Sequence, residues 1–273
     1  MNLIIEQVKI YLAKANRGEA EMSDDIIEEA VATFRRNLQE HFKPHDVRKH
    51  SMRMSGVGRP LCQQQMDAAG AVRQEDDYSF RMKMLLGDMT EIAAVAIMRA
   101  AGVPILSYQE PVSLDIGGIK LDGTLDVKIS ENGKPVVYDV KSASPYAFAS
   151  KFNGNGAFEA LRADDAFGYV AQGYLYAEGA GAKFGGWIAV EKSTGEWAIL
   201  ETPILDNAYR KEALAQAESN IKALKDGIPF KRCFEAVQET FNGKATGNSY
   251  LGITCSYCPF KHTCWGSEVT HAS

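Results

Sequence analysis

Hydrophobic and polar residues change their period several times along the chain, and each change marks an element. From about Ser23 to Phe42 the pattern is helical, with Ser23 as a plausible N-cap and Asp24 and Asp25 in the first turn, where the helix dipole favours acids. A second helix is predicted from about Leu85 to Ala101, closed by Gly102. It is apolar on nearly every side, which predicts burial, and a buried carboxylate at Glu91 would be costly without a partner. The period then drops to two. Val112, Leu114 and Ile116 alternate with Ser113 and Asp115, and Gly117-Gly118 is a hairpin signal. Leu121, Gly123, Leu125, Val127 and Ile129 turn one face to a core, leaving Asp122, Thr124, Asp126 and Lys128 on the other. Asn132-Gly133 is a strong two-residue turn signal, and Pro135 to Lys141 supplies the third strand. A helix from about Arg162 to Ala177 follows, then a hairpin from Phe184 to Val190 and Glu196 to Glu201, turning near Thr194-Gly195. A long amphipathic helix from Asp206 to about Lys225 ends at Gly227 and Pro229. That order predicts an α/β domain with a mixed sheet.

The Asn132-Gly133 turn makes a register computable. With those two residues as the loop, Glu131 faces Lys134 and paired numbers sum to 265, which places Asp126 opposite Asp139 and Thr124 opposite Lys141. Directly opposed side chains lie about 4.5–5.5 Å apart at Cβ, so the two carboxylates repel unless a cation joins them. Hard oxygen donors suit Mg²⁺ or Mn²⁺. Lys141, one pleat along, is placed to stabilise charge on a phosphate or orient an attacking water. An ordinary solvated face with an Asp139–Lys141 charge pair is the competing explanation of the hairpin alone.

Composition bounds these readings. The 273 residues carry a formal charge of −5, with 45% hydrophobic and 24% charged residues, values of a globular chain and not of a disordered or fibrous one. No apolar run approaches the roughly 20 residues of a membrane helix, and the first residues mix acids and amides with apolar positions, unlike a signal peptide. A cytoplasmic protein without membrane attachment is expected. An acidic balance excludes wholesale coating of nucleic acid, so any phosphate affinity must be local. The densest basic stretch holds Arg35, Arg36, Lys43, Arg48, Lys49, Arg53 and Arg59, with His41, His45 and His50 interspersed; Arg48, Lys49 and Arg53 are candidates for contact with a phosphate backbone. Five cysteines are placed unevenly: Cys62 and Cys233 stand alone, while Cys255, Cys258 and Cys264 form a C-x2-C-x5-C run. Three thiolates at that spacing need a fourth donor and suit zinc as well as iron–sulfur.

Four short motifs fall in a telling order. Asp139-Val140-Lys141 resembles the D-x-K half of a PD-(D/E)XK nuclease motif, and Gly123-Thr124-Leu125-Asp126 the G-x-x-D element that precedes it in RecB-like members. Glu91, four after Gly87, sits where that family carries its first acid or histidine, and Gln172 with Tyr176 matches its Q-x-x-x-Y element. The resemblance covers roughly residues 60 to 265. It implies a restriction-endonuclease-like α/β core of helix, three-strand meander, helix and strand, with a helical segment at 1–60, the nuclease core at 61–265 and a tail at 266–273. It implies catalytic roles for Glu91, Asp126, Asp139 and Lys141, with Glu91, Asp126, Asp139 and the Val140 carbonyl around Mg²⁺ or Mn²⁺, and substrate contacts from Gln172 and Tyr176.

The iron–sulfur branch of these nucleases, which includes AddB-type subunits and CRISPR adaptation nucleases, joins one upstream cysteine to three beyond the core. By that likeness Cys62, Cys255, Cys258 and Cys264 hold a structural 4Fe–4S cluster, zinc being the alternative, with Cys233 spare and His262 a less usual ligand. Glu91 departs from the histidine common in that branch, which bears on whether one or two metals bind. The expected activity is that of a DNA nuclease, exonucleolytic more than site-specific, in recombination, DNA processing or phage genome metabolism, with recombination or replication proteins as partners. A non-catalytic DNA-binding module and a zinc-stabilised scaffold acting through protein partners are the rival classes.

Overall fold

The computed structural model describes residues 2–44, 52–75, 77–203 and 206–269. Helices α1 (Leu3–Asn16), α2 (Asp24–Phe42), α3 (Met54–Val57), α4 (Leu61–Ala68) and α5 (Phe80–Ala100) precede the sheet. Strands β1 (Ile105–Ile116), β2 (Ile119–Glu131) and β3 (Lys134–Ala143) form the meander. The short α6 (Pro145–Ala147), a π-helical turn at Phe148–Phe152, α7 (Ala157–Ala163) and α8 (Tyr169–Gly179) lead to β4 (Lys183–Glu191) and β5 (Trp197–Glu201). The chain ends with α9 (Asp206–Lys225), the hairpin β6 (Val237–Phe241) and β7 (Lys244–Tyr250), then α10 (Ile253–Ser256) and α11 (Lys261–Trp265). The main sheet has the order β1-β2-β3-β4-β5, antiparallel except for the parallel pair β3–β4, whose crossover carries α6 to α8. It is the mixed α/β sheet that the sequence pattern predicts.

Two apolar clusters cover the two faces of this sheet. Tyr174, Leu175 and Tyr176 of α8 and Ala217 and Ile221 of α9 pack with Leu121, Leu125 and Trp187 on one side. Ala94, Val95 and Met98 of α5 and Ile4 and Val8 of α1 pack with Val127, Ile129, Tyr138 and Ile188 on the other. Leu121 and Leu125 therefore serve the opposite face from Val127 and Ile129, although all are odd-numbered. The expected single core face of β2 is corrected: the strand changes allegiance at Asp126. Its neighbour in β1 shows why. The position that would pair with Asp126 is Gln109, which has φ 47° and drops out of the ladder between Tyr108↔Val127 and Glu110↔Leu125. A non-glycine residue in the left-handed region kinks the strand there.

Two further expectations need revision. Helix α5 is not buried throughout: Met82, Met84, Leu86 and Met89 are exposed, and burial is confined to the C-terminal half from Ile92 to Met98. The helix expected at Arg162 to Ala177 is two helices, interrupted at Asp164–Gly168. Gly168 has φ 74°, and the Asp165 carboxylate restarts the chain by accepting hydrogen bonds from Tyr169 N at 2.7 Å and Val170 N at 2.9 Å. Among the described residues no helix is long and apolar enough to cross a membrane.

Candidate active site

The ladder between β2 and β3 follows the computed register from Glu131↔Lys134 to Val127↔Tyr138 and then stops. Asp126 and Asp139 lie one step past its end, so they are not a ladder pair; this corrects the expected cross-strand geometry, and the Thr124–Lys141 pairing with it. Beyond the last pair Asp126 takes the place of a backbone partner, its Oδ2 accepting a hydrogen bond from Val140 N at 2.7 Å. The N–H and C=O of one strand residue point to the same side. The Val140 carbonyl therefore faces the same opening as the Asp126 carboxylate.

Asp139 is buried, and its Oδ2 lies 2.6 Å from Lys141 Nζ. Apart from that ion pair, neither of its oxygens has an aligned hydrogen-bond donor among the described residues. Lys141 Nζ also sits 4.6 Å from the centre of the Tyr169 ring. Glu91 reaches the group from α5, its Oε1 accepting from Gln109 Nε2 at 3.4 Å. Gln109 thus links the kink in β1 to the acid on α5.

Electrostatics couple these groups. Burial, then the carboxylates of Asp139 and Glu91, push Asp126 well above the usual range, with Lys141 and the Val140 N–H opposing. Burial raises Asp139 against the pull of Lys141. Glu91 is pushed up to about 7, by burial first and by Asp139 and Asp88 after it. Burial would lower Lys141, yet Asp139 and Asp126 outweigh it and hold the ammonium above its ordinary value. Three crowded carboxyls and one cation leave an excess of negative charge. That donor chemistry fits a divalent cation, because Mg²⁺ is commonly held by one or two carboxylates plus waters. The side chains do not form a closed cage: among the described residues no three of His, Cys, Asp and Glu converge tightly enough to hold a metal.

Helix α8 backs the site. Tyr176 is buried, hydrogen-bonded to Gln172, and raised by burial and by Asp126 and Asp139. A Cβ on Gly123 would lie 2.5 Å from Tyr176 Cε1 and 3.3 Å from Met54 Cβ. The glycine three before Asp126 is thus needed for close approach of α8 and α3 to β2. The backbone of Arg53 makes an isolated parallel β-bridge to Asp122 of β2, whereas Arg48 and Lys49 lie outside the described residues.

The five cysteines share one neighbourhood. Cys62 N donates to Cys233 Sγ at 3.1 Å. A separate thiol–thiol hydrogen bond to Cys233, then burial, raises the Cys62 thiol, with Cys258 adding to it; that thiol contact, helped by the Cys62 N–H, lowers Cys233 to about 6. Burial raises Cys255, with Cys258, Cys264 and Cys233 acting in the same sense. The C-terminal segment is tied back to the residues after α4 by Gln74 N→Pro259 O at 2.7 Å and Thr263 Oγ1→Val72 O at 2.6 Å. Sequence alone leaves Cys233 as a spare, because no spacing rule connects it to Cys62 across 171 positions.

No protein of curated function matches the sequence significantly. Among solved structures, the chain is similar to the crystal structure of SSO0001, at 15% identity and TM-score 0.45, over 87% of this chain and 96% of that one. It is also similar to a candidate exonuclease from Eubacterium rectale, at 15% identity and TM-score 0.40, over 78% and 90% of the two chains. The family model of the PD-(D/E)XK nuclease superfamily matches residues 10–265, nearly the whole length, and the chain belongs to that superfamily.

Proposed function

We propose that this protein is a divalent-metal-dependent deoxyribonuclease that removes nucleotides from DNA ends, serving recombination, DNA processing or phage genome metabolism. The observation that carries the reading is the buried Asp139 carboxylate, paired among the described residues with Lys141 alone and set beside Asp126 where the β2–β3 ladder opens. A fold that merely needed stability would not keep two such acids there, since each costs free energy without a counter-charge.

Asp126, Asp139 and the Val140 carbonyl hold the cation in this reading, with Glu91 in contact directly or through water. The cation, when bound, supplies Lewis acidity toward the phosphodiester and makes a water more acidic. Lys141 is an ammonium at neutral pH, so it stabilises charge growing on the phosphate and orients the attacking water; it does not act as the resting base. Asp139 fixes the Lys141 head, and the Tyr169 ring supports it from the other side. Gln172 meets the strand, while the buried Tyr176 positions Gln172 and Asp126 from behind. Residues 61–265 constitute the nuclease core.

Cys62, Cys255, Cys258 and Cys264 hold a 4Fe–4S cluster in this reading. The shared thiol neighbourhood and the hydrogen bonds from the C-terminal segment to residues 72–74 support it. Its role is to clamp the two ends of the core, offsetting the entropy of closing so long a loop.

Thermal unfolding tests the metal assignment without relying on cleavage. Millimolar Mg²⁺ or Mn²⁺ should raise the melting temperature of the wild type, and Asp139→Asn should abolish the increase. An undiminished increase in that variant would place the metal elsewhere.

A further inference from the structure

A second set of charged groups lies beside Gly168 and Tyr169. Arg53, Arg59 and Arg73 line one cavity of about 90 Å³ with Gln63, Asp67 and Phe260. That is room for about three waters, or for the oxygens of one phosphate group. Among the described lining residues three arginines face one aspartate, and Asp165 acts on Arg59 from outside the lining, so positive charge is in excess. Asp67 holds Arg73 by its Oδ1 at 3.1 Å, and the Arg73 guanidinium lies 5.4 Å from the centre of the Phe260 ring.

Arg59 is the group that the fold goes furthest to place. Its Nε is buried and has no hydrogen-bond partner among the described residues. Burial pulls the guanidinium below its ordinary pKa and the neighbouring Arg73 pulls the same way, against Tyr169, Asp165 and Asp67. A desolvated cation with an unanswered N–H calls for an anion. The backbone beneath it is clamped by two buried amides. Gln64 Nε2 donates to Val57 O at 3.0 Å and to Arg59 O at 2.7 Å; Asn220 Nδ2 donates to the same two carbonyls at 2.8 and 3.0 Å. Asn220 is 1% exposed and comes from α9, far along the chain. The side-chain stem of Arg59 packs on Gly168, where a Cβ would come within 3.2 Å of its Cγ. Gly168 starts α8 and adjoins Tyr169, whose ring carries Lys141. A buried network of this kind costs stability unless it is fully satisfied, and its effect is to fix one loop and one arginine relative to α8.

We propose that Arg59, with Arg53 and Arg73, forms a pocket for a phosphate of the nucleic-acid strand adjoining the one cleaved. The proposal rests on the nuclease reading for the identity of the strand, and it adds a positioning subsite that sets how the backbone enters. Arginine forks suit this task because they meet two phosphate oxygens at once.

Fluorescence anisotropy of a labelled single-stranded oligonucleotide tests it on the full chain, in EDTA so that no cleavage intervenes. Arg59→Gln and the more exposed Arg73→Gln should each weaken binding by about tenfold, the scale of a charged hydrogen bond. The slope of log affinity against log salt should fall by about 0.7 for each phosphate of a single strand that the protein no longer neutralises. Arg59→Lys should restore the slope but only part of the affinity. A preference for 5′-phosphorylated strands that disappears in Arg59→Gln identifies a terminal phosphate, and equal affinity for both strands identifies an internal one. If both glutamine variants keep their melting temperature, affinity and salt slope, the pocket does not bind the strand. If inorganic phosphate stabilises the wild type and not Arg59→Gln while the two bind DNA alike, it is a site for free phosphate and the proposal fails. A protein that binds in this way but never cuts would refute the nuclease reading alone.

Discussion

Replacing Glu91 by glutamine removes a carboxylate that the fold holds in its charged form at a cost. Between its ordinary value of 4.5 and the raised value of about 7, the folded protein binds more protons at this group than the unfolded chain does. Stability must therefore fall as pH rises through that window, the reverse of a salt-bridged acid. Asp126 and Asp139 are raised as well and act with the same sign. One pKa unit is worth about 1.4 kcal/mol, so ionising Glu91 costs at most about 3 kcal/mol. Solvent at its partly open position reduces that to about 1–3 kcal/mol. Glu91→Gln mimics the neutral acid. In metal-free buffer at pH 8 it should melt above the wild type, by about 2–4 °C for each kcal/mol recovered. At pH 4, below the ordinary value, the two should nearly coincide. The assay is a series of thermal melts from pH 4 to 8 in EDTA. Parallel curves for the two proteins would refute the account of a strained, like-charged acid cluster.

Two further outcomes follow from packing and from the cysteines. Gly123→Ala forces a Cβ against the Tyr176 ring and Met54, an overpacking worth about 1–3 kcal/mol, so its melting temperature should fall, while Gly87→Ala, inside α5 and with no neighbour for its Cβ, should lose nothing. An equal loss in both would remove the close approach as the reason for Gly123. Cys62→Ser should release iron and bleach a protein otherwise brown under anaerobic purification, whereas Cys233→Ser should keep its iron. The 3.1 Å approach between the two makes Cys233 the obvious substitute, and iron lost only from Cys233→Ser would reverse the assignment.

Local chemistry carries much of this structure in the sequence. Asn132 and Gly133 take φ 51° and 77°, the left-handed pair their identities favour, and the register they set holds for every pair of the β2–β3 ladder. The same signal at Asn242-Gly243, φ 49° and 75°, sits in the β6–β7 hairpin, whose mostly polar strands give no alternation to mark them. Helix α1 is hidden for a different reason. Its apolar residues are spread around the helix, with Ile4, Ile5 and Val8 buried but Leu3 and Ile10 exposed, and the packing of Ile4 and Val8 against α5 is a contact no local pattern records. The end of the ladder at Val127↔Tyr138 is equally hidden. It follows from the Gln109 kink in a neighbouring strand, and a register computed from one turn cannot register a kink in a third strand. The acids and Lys141 can be named from spacing alone. Gln64 and Asn220, which fix the arginine loop, cannot, since a buried amide looks like any surface amide in sequence.

The most direct test of the central claim is digestion of end-labelled linear DNA, with closed circular DNA beside it, by the wild type and by Lys141→Ala. The wild type with Mg²⁺ or Mn²⁺ should shorten the linear strand from its ends, leave the circle intact, and stop in EDTA. Lys141→Ala should retain DNA binding and lose cleavage, as removal of the charge facing the reacting phosphate requires. Cleavage at wild-type rate by Lys141→Ala, or none by the wild type with either metal, would contradict the account.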